Sequence, residues 1–178
     1  TSCENAIPWI NAGVIRNTTQ CRELQEASTY IRRAGRKESM ERCGITGDHN
    51  FLWVGRFNKN KDPLTVLKAF ENYAWKNNAA RFYMIFQEDE LFNEVQNIIN
   101  GSTILHRTVK LIGKIPHEEL RFWYSSCSFF LSGSHKEGSG YALMEAMACG
   151  CIPIVTAIPS FKKITCNGKY GFLYPAGD

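Results

Sequence analysis

Long apolar runs are absent from this sequence of 178 residues. None approaches the ~20 residues that a membrane-spanning helix needs, so we expect no such helix. The first residues also lack the basic segment followed by an apolar segment that forms a secretory signal peptide. The length fits one domain, or one domain with an extra segment, and it suffices to bury a sizeable core.

Cysteine pairs with the spacing of metal ligands are missing as well. The seven cysteines are an odd number, and the closest pair, Cys149 and Cys151, is separated by a single glycine. The four histidines are scattered along the chain. We therefore expect neither a disulfide framework nor a metal site. Free thiols are typical of the reducing cytoplasm, which is the compartment that we predict.

Strong charge of either sign is also missing. The net charge is +4, and the densest basic cluster, Arg32 to Lys37, is flanked by Glu26, Glu38 and Glu41. Such a mixture is typical of a solvated helix face rather than of a nucleic-acid-binding surface, so we predict no nucleic-acid partner. A mild positive balance still suits an anionic small ligand.

Residues 1–50 do not share the alternating pattern of apolar runs and amphipathic segments that the rest of the chain shows. The segment 6–15, AIPWINAGVI, predicts one extended strand, and the helix-forming residues 21–45 end at Gly44. We interpret residues 1–50 as an interdomain linker that carries a leading strand and a helix.

Residues 51–178 alternate short apolar runs with amphipathic segments. The apolar runs predict buried strands at 51–57, 81–86, 108–113, 127–134, 151–157 and 170–175. The segments between them predict helices at 62–77, 90–99, 116–126, 140–150 and 158–166. Strands without polar alternation, separated by helices, indicate an α/β fold: a Rossmann-like parallel sheet with helices on both faces. Since a helix usually covers the last strand of such a sheet, we expect the domain to be truncated at its C-terminus.

The first predicted helix carries clear start signals. Asp62 is expected to cap it, with Pro63 in its first turn. Its predicted apolar face consists of Leu64, Leu67, Ala69, Phe70 and Tyr73.

Two loops at strand ends carry residues that suit a nucleotide, because ligands of open parallel sheets bind at the carboxyl ends of the strands. Arg56 and Lys61 follow the first strand, and two cations on one loop suit a diphosphate, although the loop alone also fits two solvated side chains. Ile115 follows the third strand and suits a flat nucleobase, although a plain turn into a helix also fits there.

The segment after the fourth predicted strand contains two glutamates eight positions apart, Glu137 in the loop and Glu145 in the helix that follows. Eight helical residues span ~12 Å, a length over which a nucleotide-sugar places a ribose, a diphosphate and a hexose. Glu145, about two turns into the helix, would then accept the ribose hydroxyls, and Glu137 would face the sugar. The alternative is two surface glutamates, but the apolar surroundings of Glu145 require a buried partner for its carboxylate.

The residues between these glutamates favour an anion. Gly138 and Gly140 allow the backbone to approach a ligand closely. The N–H groups of Ser139, Gly140 and Tyr141 lie where the helix begins, and such a helix start is a natural site for phosphate.

Several motifs together resemble one known family. The segment EGSGYALMEAMACG, with Glu137 and Glu145 at the ends of an E-x7-E pattern, is similar to the signature of the retaining GT-B glycosyltransferases of family 4, also called group 1. The segments FLWVGRFNKNKDPLTVLKAF, VKLIGKIPHEEL and NGKYGFLYPAGD resemble other motifs of that family in the same order. The resemblance covers residues 51–178.

The resemblance implies a role for each candidate residue. Arg56 and Lys61, which we align in preference to Lys59, would stabilise the diphosphate and the leaving nucleoside diphosphate. Glu145 would bind the ribose and Glu137 the donor sugar. The backbone of residues 138–141 would support the phosphates and the sugar. Members of the family use no essential metal or other cofactor, and the donor would be a UDP-, GDP- or ADP-sugar. They transfer it with retention of the anomeric configuration, which is often attributed to attack on the face that the leaving group departs from.

The resemblance also implies a larger protein. Members of the family have two Rossmann-like domains with the active site in the cleft between them, and residues 51–178 resemble the C-terminal, donor-binding domain. The N-terminal domain, which binds the glycan or glycolipid acceptor, would be missing from this chain. We therefore expect the chain alone to bind donor and to transfer nothing. Any contact with the inner face of the membrane would belong to the missing half.

Three alternatives remain open at this point. A non-catalytic relative would keep the fold as a nucleotide-binding, sugar-binding or scaffold module. A GT-B epimerase or phosphorylase needs acidic, histidine or pyridoxal-lysine groups that are not evident here. NAD binding is disfavoured because no predicted strand is followed by the pattern GxGxxG.

Overall fold

The computed structural model describes residues 6–16, 29–88 and 90–178. Within these residues, six strands form one sheet in the order β3-β2-β1-β4-β5-β6, and every adjacent pair is parallel. The strands are β1 (Asn50–Arg56), β2 (Arg81–Gln87), β3 (Val109–Gly113), β4 (Phe129–Ser132), β5 (Ile152–Thr156) and β6 (Phe172–Tyr174). This is the strand order of the doubly wound Rossmann fold, which confirms the predicted fold class.

Helices connect the strands and cover both faces of the sheet. They are α1 (Ile7–Asn11), α2 (Arg36–Cys43), α3 (Pro63–Lys76), α4 (Phe92–Gly101), α5 (Thr103–Thr108), α6 (Leu120–Ser126), α7 (Tyr141–Ala148) and α8 (Pro159–Ile164). A 3-10 turn, His117–Glu119, leads into α6. The short helix α5 was not expected from the sequence; Ser102 caps it by accepting a hydrogen bond from the backbone N–H of Leu105 at 3.2 Å.

Successive residues of β1 face two different cores, as strand geometry requires. Phe51 and Trp53 pack into one apolar cluster with α3, α4 and α5. Leu52, between them, packs into a second cluster with α6, α7 and α8. Both faces are therefore buried at the centre of the sheet, which explains why its strands show no polar alternation.

Helix α3 starts where the sequence predicts, but its buried face is rotated about the helix axis relative to the predicted one. Asp62 caps the helix and accepts a hydrogen bond from the backbone N–H of Thr65 at 3.2 Å. The buried side chains are Pro63, Val66, Leu67, Phe70 and Ala74. Of the predicted face, only Leu67 and Phe70 are buried, because the contact with the sheet follows the spacing of three, four and seven residues that starts at Pro63.

Residues 6–15 do not form the predicted strand. Residues Ile7–Asn11 form the short helix α1, with Pro8 in its first turn. Proline fits the first helical turn because its fixed φ is already helical and its missing N–H is not needed there. Part of the predicted helix 21–45 lies outside the described residues, and the described part forms α2, which ends at Gly44 with φ +64°.

The order of the strands decides where loops meet. The chain moves from β1 outward to β2 and β3, then returns across the sheet to β4, which pairs with β1. The helices that follow β1 and β4, α3 and α7, therefore pack on opposite faces of the sheet, and the loops that lead to them start side by side at its carboxyl edge. Open α/β sheets bind their ligands at this switch point.

Candidate functional site

Two residues from distant parts of the sequence form an ion pair at the switch point. Lys61 lies in the loop after β1, and its Nζ contacts Oε1 of Glu137 in the loop after β4. The hydroxyl of Ser134 donates to the same carboxylate oxygen at 2.9 Å. The side chains of Lys61 and Glu137 are 27% and 15% exposed, so the pair is partly withdrawn from water while still open to a ligand.

The two loops are held together by Asn60. Its side-chain oxygen accepts from the backbone N–H of Lys136 at 3.0 Å, and its side-chain nitrogen donates to the carbonyl of Lys136 at 3.0 Å. Its own carbonyl accepts from the N–H of His135 at 2.8 Å. Three hydrogen bonds thus fix the Lys61 loop against the Glu137 loop.

Close approach of the loops also requires Gly133, the first residue after β4. A Cβ at this position would lie 2.9 Å from the carbonyl oxygen of Asp62 and 2.9 Å from a methyl carbon of Val66. Any side chain there would push β4 away from the start of α3, and Lys61 away from Glu137.

A cavity of about 280 Å³ opens beside the ion pair. The predicted residues that line it are Lys61, Glu137, Gly138, Ser139, Gly140 and Tyr141. Its wall is completed by residues of both central strands, the start of α7 and α8: Val54, Phe130, Ser132, Ala142, Leu143 and Phe161. The cavity therefore has two charged groups at one side and an apolar wall at the other.

The start of α7 borders this cavity. Gly140, the residue before the helix, has φ +69°, and a Cβ there would lie 2.8 Å from Cδ1 of Ile164. Both the backbone angle and the close packing on α8 require glycine at this point. The residue before α7 is a glycine, so it supplies no side-chain cap, and the N–H groups of such a helix start suit an anion.

Glu145 is buried at the start of the second turn of α7, one turn earlier than expected, and both of its oxygens have partners. The His117 Nε2 lies 2.9 Å from Oε1, and the hydroxyl of Tyr124 donates to Oε2 at 3.1 Å. Burial, and then the nearby carboxylate, raise the pKa of Tyr124 well above its ordinary value. The tyrosine therefore stays a hydrogen-bond donor to Glu145 at any physiological pH.

Arg56, Ile115 and Glu145 lie outside the lining of the cavity. Arg56 is the exposed last residue of β1, at the same carboxyl edge. Ile115 is half-buried in the loop after β3, two residues before His117. Lys59 is exposed, and its backbone N–H donates to Oε1 of Glu90 at 3.0 Å. Of the two lysines that follow Arg56, the structure thus places Lys61 against Glu137.

The sequence did not reveal the residues that hold the site together. These are Asn60, His117, Tyr124, Gly133 and Ser134. Gly133 and Ser134 lie inside the predicted strand 127–134, where the sequence shows no sign of a role in the site. The burial of Glu145 was a usable signal, because a buried carboxylate requires donors, but it does not say which residues supply them.

Within the described residues no group of three or more His, Cys, Asp or Glu side chains is placed to hold a metal ion. Cys43, Cys127, Cys149, Cys151 and Cys166 carry free thiols, of which Cys127, Cys149 and Cys151 are buried as small core residues. None of the described helices is both long and apolar enough to cross a membrane.

Two curated proteins are similar in sequence. An uncharacterized glycosyltransferase of Methanocaldococcus jannaschii is 26% identical over 128 residues, which are 71% of this chain and 34% of the relative. A GDP-mannose:cellobiosyl-diphosphopolyprenol alpha-mannosyltransferase of Xanthomonas oryzae is 27% identical over 128 residues, which are 72% of this chain and 34% of the relative. The chain thus spans about a third of the length of these relatives.

Solved structures share the fold. The C-terminal domain of the glycosyl transferase group 1 family protein LpcC from Francisella tularensis has a TM-score of 0.73 at 23% identity, over 83% of this chain and 78% of that one. The Anabaena HepE protein, solved in complex with UDP-glucose, has a TM-score of 0.71 at 16% identity, over 83% of this chain and 41% of that one. At these identities the likeness establishes the fold alone.

Family membership follows from the sequence itself. The family model described as "Glycosyl transferases group 1" matches residues 35–178, which include the whole sheet and the loops of the candidate site. This chain therefore belongs to the group 1 glycosyltransferases.

Proposed function

We propose that this chain is the donor-binding part of a glycosyltransferase that moves a hexosyl group from a nucleoside diphosphate sugar to a glycan or glycolipid acceptor. The observation that carries the proposal is the meeting of Lys61, Glu137 and the start of α7 around one cavity at the switch point. This arrangement offers a diphosphate a cation and the backbone N–H groups of a helix start, with a carboxylate directly beside them.

The donor extends along α7 in this proposal. The diphosphate lies at the helix start, between Lys61 and the N–H groups of residues 139–141. The ribose reaches Glu145, the base lies near Ile115, and the sugar faces Glu137. Arg56, at the carboxyl end of β1, adds a second cation on the open side of the diphosphate.

Lys61 binds two anionic groups in turn, first Glu137 and then the diphosphate of the donor. In the protein without donor its ammonium is neutralised by Glu137. A diphosphate carries more negative charge than a carboxylate, so it draws the ammonium toward itself and leaves Glu137 free to accept hydrogen bonds from sugar hydroxyls. The ion pair therefore keeps both groups in place until the donor arrives.

The reaction breaks the bond between the anomeric carbon and the oxygen of the β-phosphate. That electron pair leaves with the nucleoside diphosphate, where Lys61 and Arg56 offset the developing charge. The acceptor hydroxyl oxygen forms the new bond to the anomeric carbon and loses its proton, which the departing phosphate oxygen takes. Attack on the face that the leaving group departs from gives retention of configuration, and no metal is needed because the cations fulfil its electrostatic role.

The donor base is one of uracil, guanine and adenine. Among similar proteins, HepE was solved with UDP-glucose, and the Xanthomonas relative is named for GDP-mannose. We further propose that a second domain supplies the acceptor site, that residues 1–178 alone transfer nothing, and that the protein acts in the cytoplasm with any membrane contact made by that second domain. The coverage of about a third of the relatives' length is consistent with such a partner domain.

Thermal unfolding with added ligand tests donor binding. A ligand at 100 times its Kd stabilises the fold by ~2.7 kcal/mol, or a rise in Tm of roughly 5–11 °C for a chain of this size. UDP, GDP, ADP and their sugars are compared on the wild type and on Lys61→Ala and Glu145→Ala. Lys76→Ala is the matched control, since Lys76 is an exposed lysine in the last turn of the helix that Lys61 precedes.

We expect a rise with one base that is lost in Lys61→Ala and Glu145→Ala and kept in Lys76→Ala. A wild type that responds to none of these ligands contradicts the donor-binding proposal and favours a scaffold role. Transfer of sugar by residues 1–178 alone contradicts the proposed need for a second domain.

A further inference from the structure

His117 contacts the carboxylate of Glu145 from outside the cavity. It lies in the 3-10 turn after β3, whereas Tyr124, the other partner of that carboxylate, lies in α6. The two donors approach different oxygens, at 2.9 Å for His117 and 3.1 Å for Tyr124. Two separate elements thus each place one side chain against one oxygen of this buried carboxylate.

The contact with Glu145 limits which nitrogen of His117 can carry the proton. An ionised carboxylate only accepts hydrogen bonds, so the Nε2 that faces Glu145 must carry the proton. Rotation about the last bond of a glutamate side chain is otherwise soft, with a broad range of angles. Two donors on two oxygens remove that freedom and set the plane of the carboxylate.

The Glu145 carboxylate can accept further hydrogen bonds beside its contacts with His117 and Tyr124. A carboxylate has about four lone-pair positions, and His117 and Tyr124 occupy two of them. Counting donors from the described part of the chain, one further acceptor position remains on each oxygen. Two neighbouring hydroxyl groups on one ligand, such as the 2′- and 3′-hydroxyls of a ribose, match a pair of acceptors whose plane is already set.

The exposure of the two donors differs sharply. Tyr124 is fully buried, with 0% exposure, and belongs to the core. The side chain of His117 is 69% exposed, while that of Glu145 is 9% exposed. His117 therefore adds little to the packing of the core, and the contact with Glu145 is what its ring provides.

We propose that His117 is a positioning residue for nucleoside recognition, which holds the Glu145 carboxylate in the plane that accepts a ribose diol. The inference rests on the proposed function, because it takes Glu145 as the ribose acceptor. It goes further in naming the group that orients Glu145 and the part of the ligand that depends on it. His117 acts through Glu145 and touches no reacting atom.

The test compares ligands with and without the diol. Calorimetry gives the Kd of UDP, GDP and ADP, and of their 2′,3′-dideoxy forms, for the wild type, His117→Ala and His117→Gln. His106→Ala is the control, since His106 is an exposed histidine in α5, near the amino end of the strands. Nitrogen NMR of the His117 ring, in the wild type and in Glu145→Gln, reports the tautomer without any ligand.

We expect His117→Ala to weaken the best-bound ribonucleotide about 5- to 10-fold, the size of one lost hydrogen bond, and to leave its dideoxy form unchanged. His117→Gln, whose amide nitrogen donates from nearly the same place, should restore binding to within about twofold of the wild type. His106→Ala should bind like the wild type. The NMR spectrum should place the proton on Nε2 in the wild type, with a changed signal in Glu145→Gln.

Each contrary result has a separate meaning. A wild type that prefers ribonucleotides, with a His117→Ala variant that does so equally, overturns the role of His117 and leaves the ribose site in place. Equal weakening of ribo- and dideoxy-forms by His117→Ala also overturns it, since the effect would not pass through the diol. A wild type that binds both forms equally, or neither, overturns the ribose site itself and this inference with it. A proton on Nδ1 instead of Nε2 refutes the proposed bond.

Discussion

Replacing Tyr124 with phenylalanine removes one hydroxyl from the core and nothing else. The ring keeps its place, so the change opens no cavity larger than one oxygen atom. The lost bond joins the hydroxyl to Oε2 of Glu145 at 3.1 Å, with the tyrosine 0% and the glutamate 7% exposed. A hydrogen bond to a charged group contributes ~1.5–3 kcal/mol, and its loss leaves a buried carboxylate oxygen without a donor. We therefore expect Tyr124→Phe to lower the free energy of unfolding by ~1.5–3 kcal/mol, or the Tm by roughly 3–12 °C.

Urea unfolding at neutral pH, followed by circular dichroism, measures this loss. Tyr83→Phe is the matched control, because Tyr83 is also buried, at 6% exposure, and its ring packs against Trp123. It should change stability much less than Tyr124→Phe. In a Glu145→Gln background the acceptor is neutral, so Tyr124→Phe should cost only the ~0.5–1.5 kcal/mol of an ordinary hydrogen bond.

Equal losses in Tyr124→Phe and Tyr83→Phe would refute the reasoning. They would mean that the hydroxyl–carboxylate bond adds nothing beyond what any buried tyrosine hydroxyl adds. An unchanged cost in the Glu145→Gln background would likewise show that the charge on Glu145 plays no part in the bond.

Three further outcomes follow from the same structure. Asn60→Ala removes two hydrogen bonds between the site loops and should cost ~1–2 kcal/mol in urea unfolding, with weaker nucleotide binding in calorimetry. Gly140→Ala should be more destabilising than Gly44→Ala. Both glycines have positive φ, at +69° and +64°, but of the two only Gly140 would place the new Cβ in a clash. Equal losses of stability in the two variants would contradict that clash. Burial raises the pKa of Cys127 from 9.0 to about 12, so the unfolded chain ionises first and stability should fall as pH rises from about 9 to 12. Thermal unfolding against pH should show this fall, reduced in Cys127→Ala; an equal fall in both proteins would contradict it.

The central strands were predictable because each is buried on both faces. The run FLWVGR of β1 contains Leu52 and Trp53, which point to opposite sides of the sheet and are both fully buried. Such a run has no polar alternation, and helices between successive runs leave little choice but a parallel sheet. The start of α3 was predictable for a local reason. The side chain of Asp62 accepts a hydrogen bond from a backbone N–H of the first turn, and the proline that follows fits that turn.

Short segments with few tertiary contacts were harder to predict. The segment 6–15 has the apolar content of a strand, but a strand is formed only when a neighbour pairs with it. Residues Ile7–Asn11 are helical, and none of their side chains is buried. The local preferences of the residues, including that of Pro8 for a first helical turn, then decide that this segment is helical.

The sequence by itself determined the fold class, the family and the segments that carry the chemistry. These follow from periodicity and from motifs read along the chain, in which each residue type is needed at a fixed distance from its neighbours. Tertiary structure alone decided which charges meet. Lys61 contacts Glu137 across 76 positions of sequence, and His117 reaches Glu145 across 28. Such contacts depend on the crossing from β3 back to β4 and on which loops can pack closely, as Gly133 and Asn60 allow. Hydrogen bonds and ion pairs act over a few ångströms in space, and distance in space is set by the sheet order rather than by position in the chain.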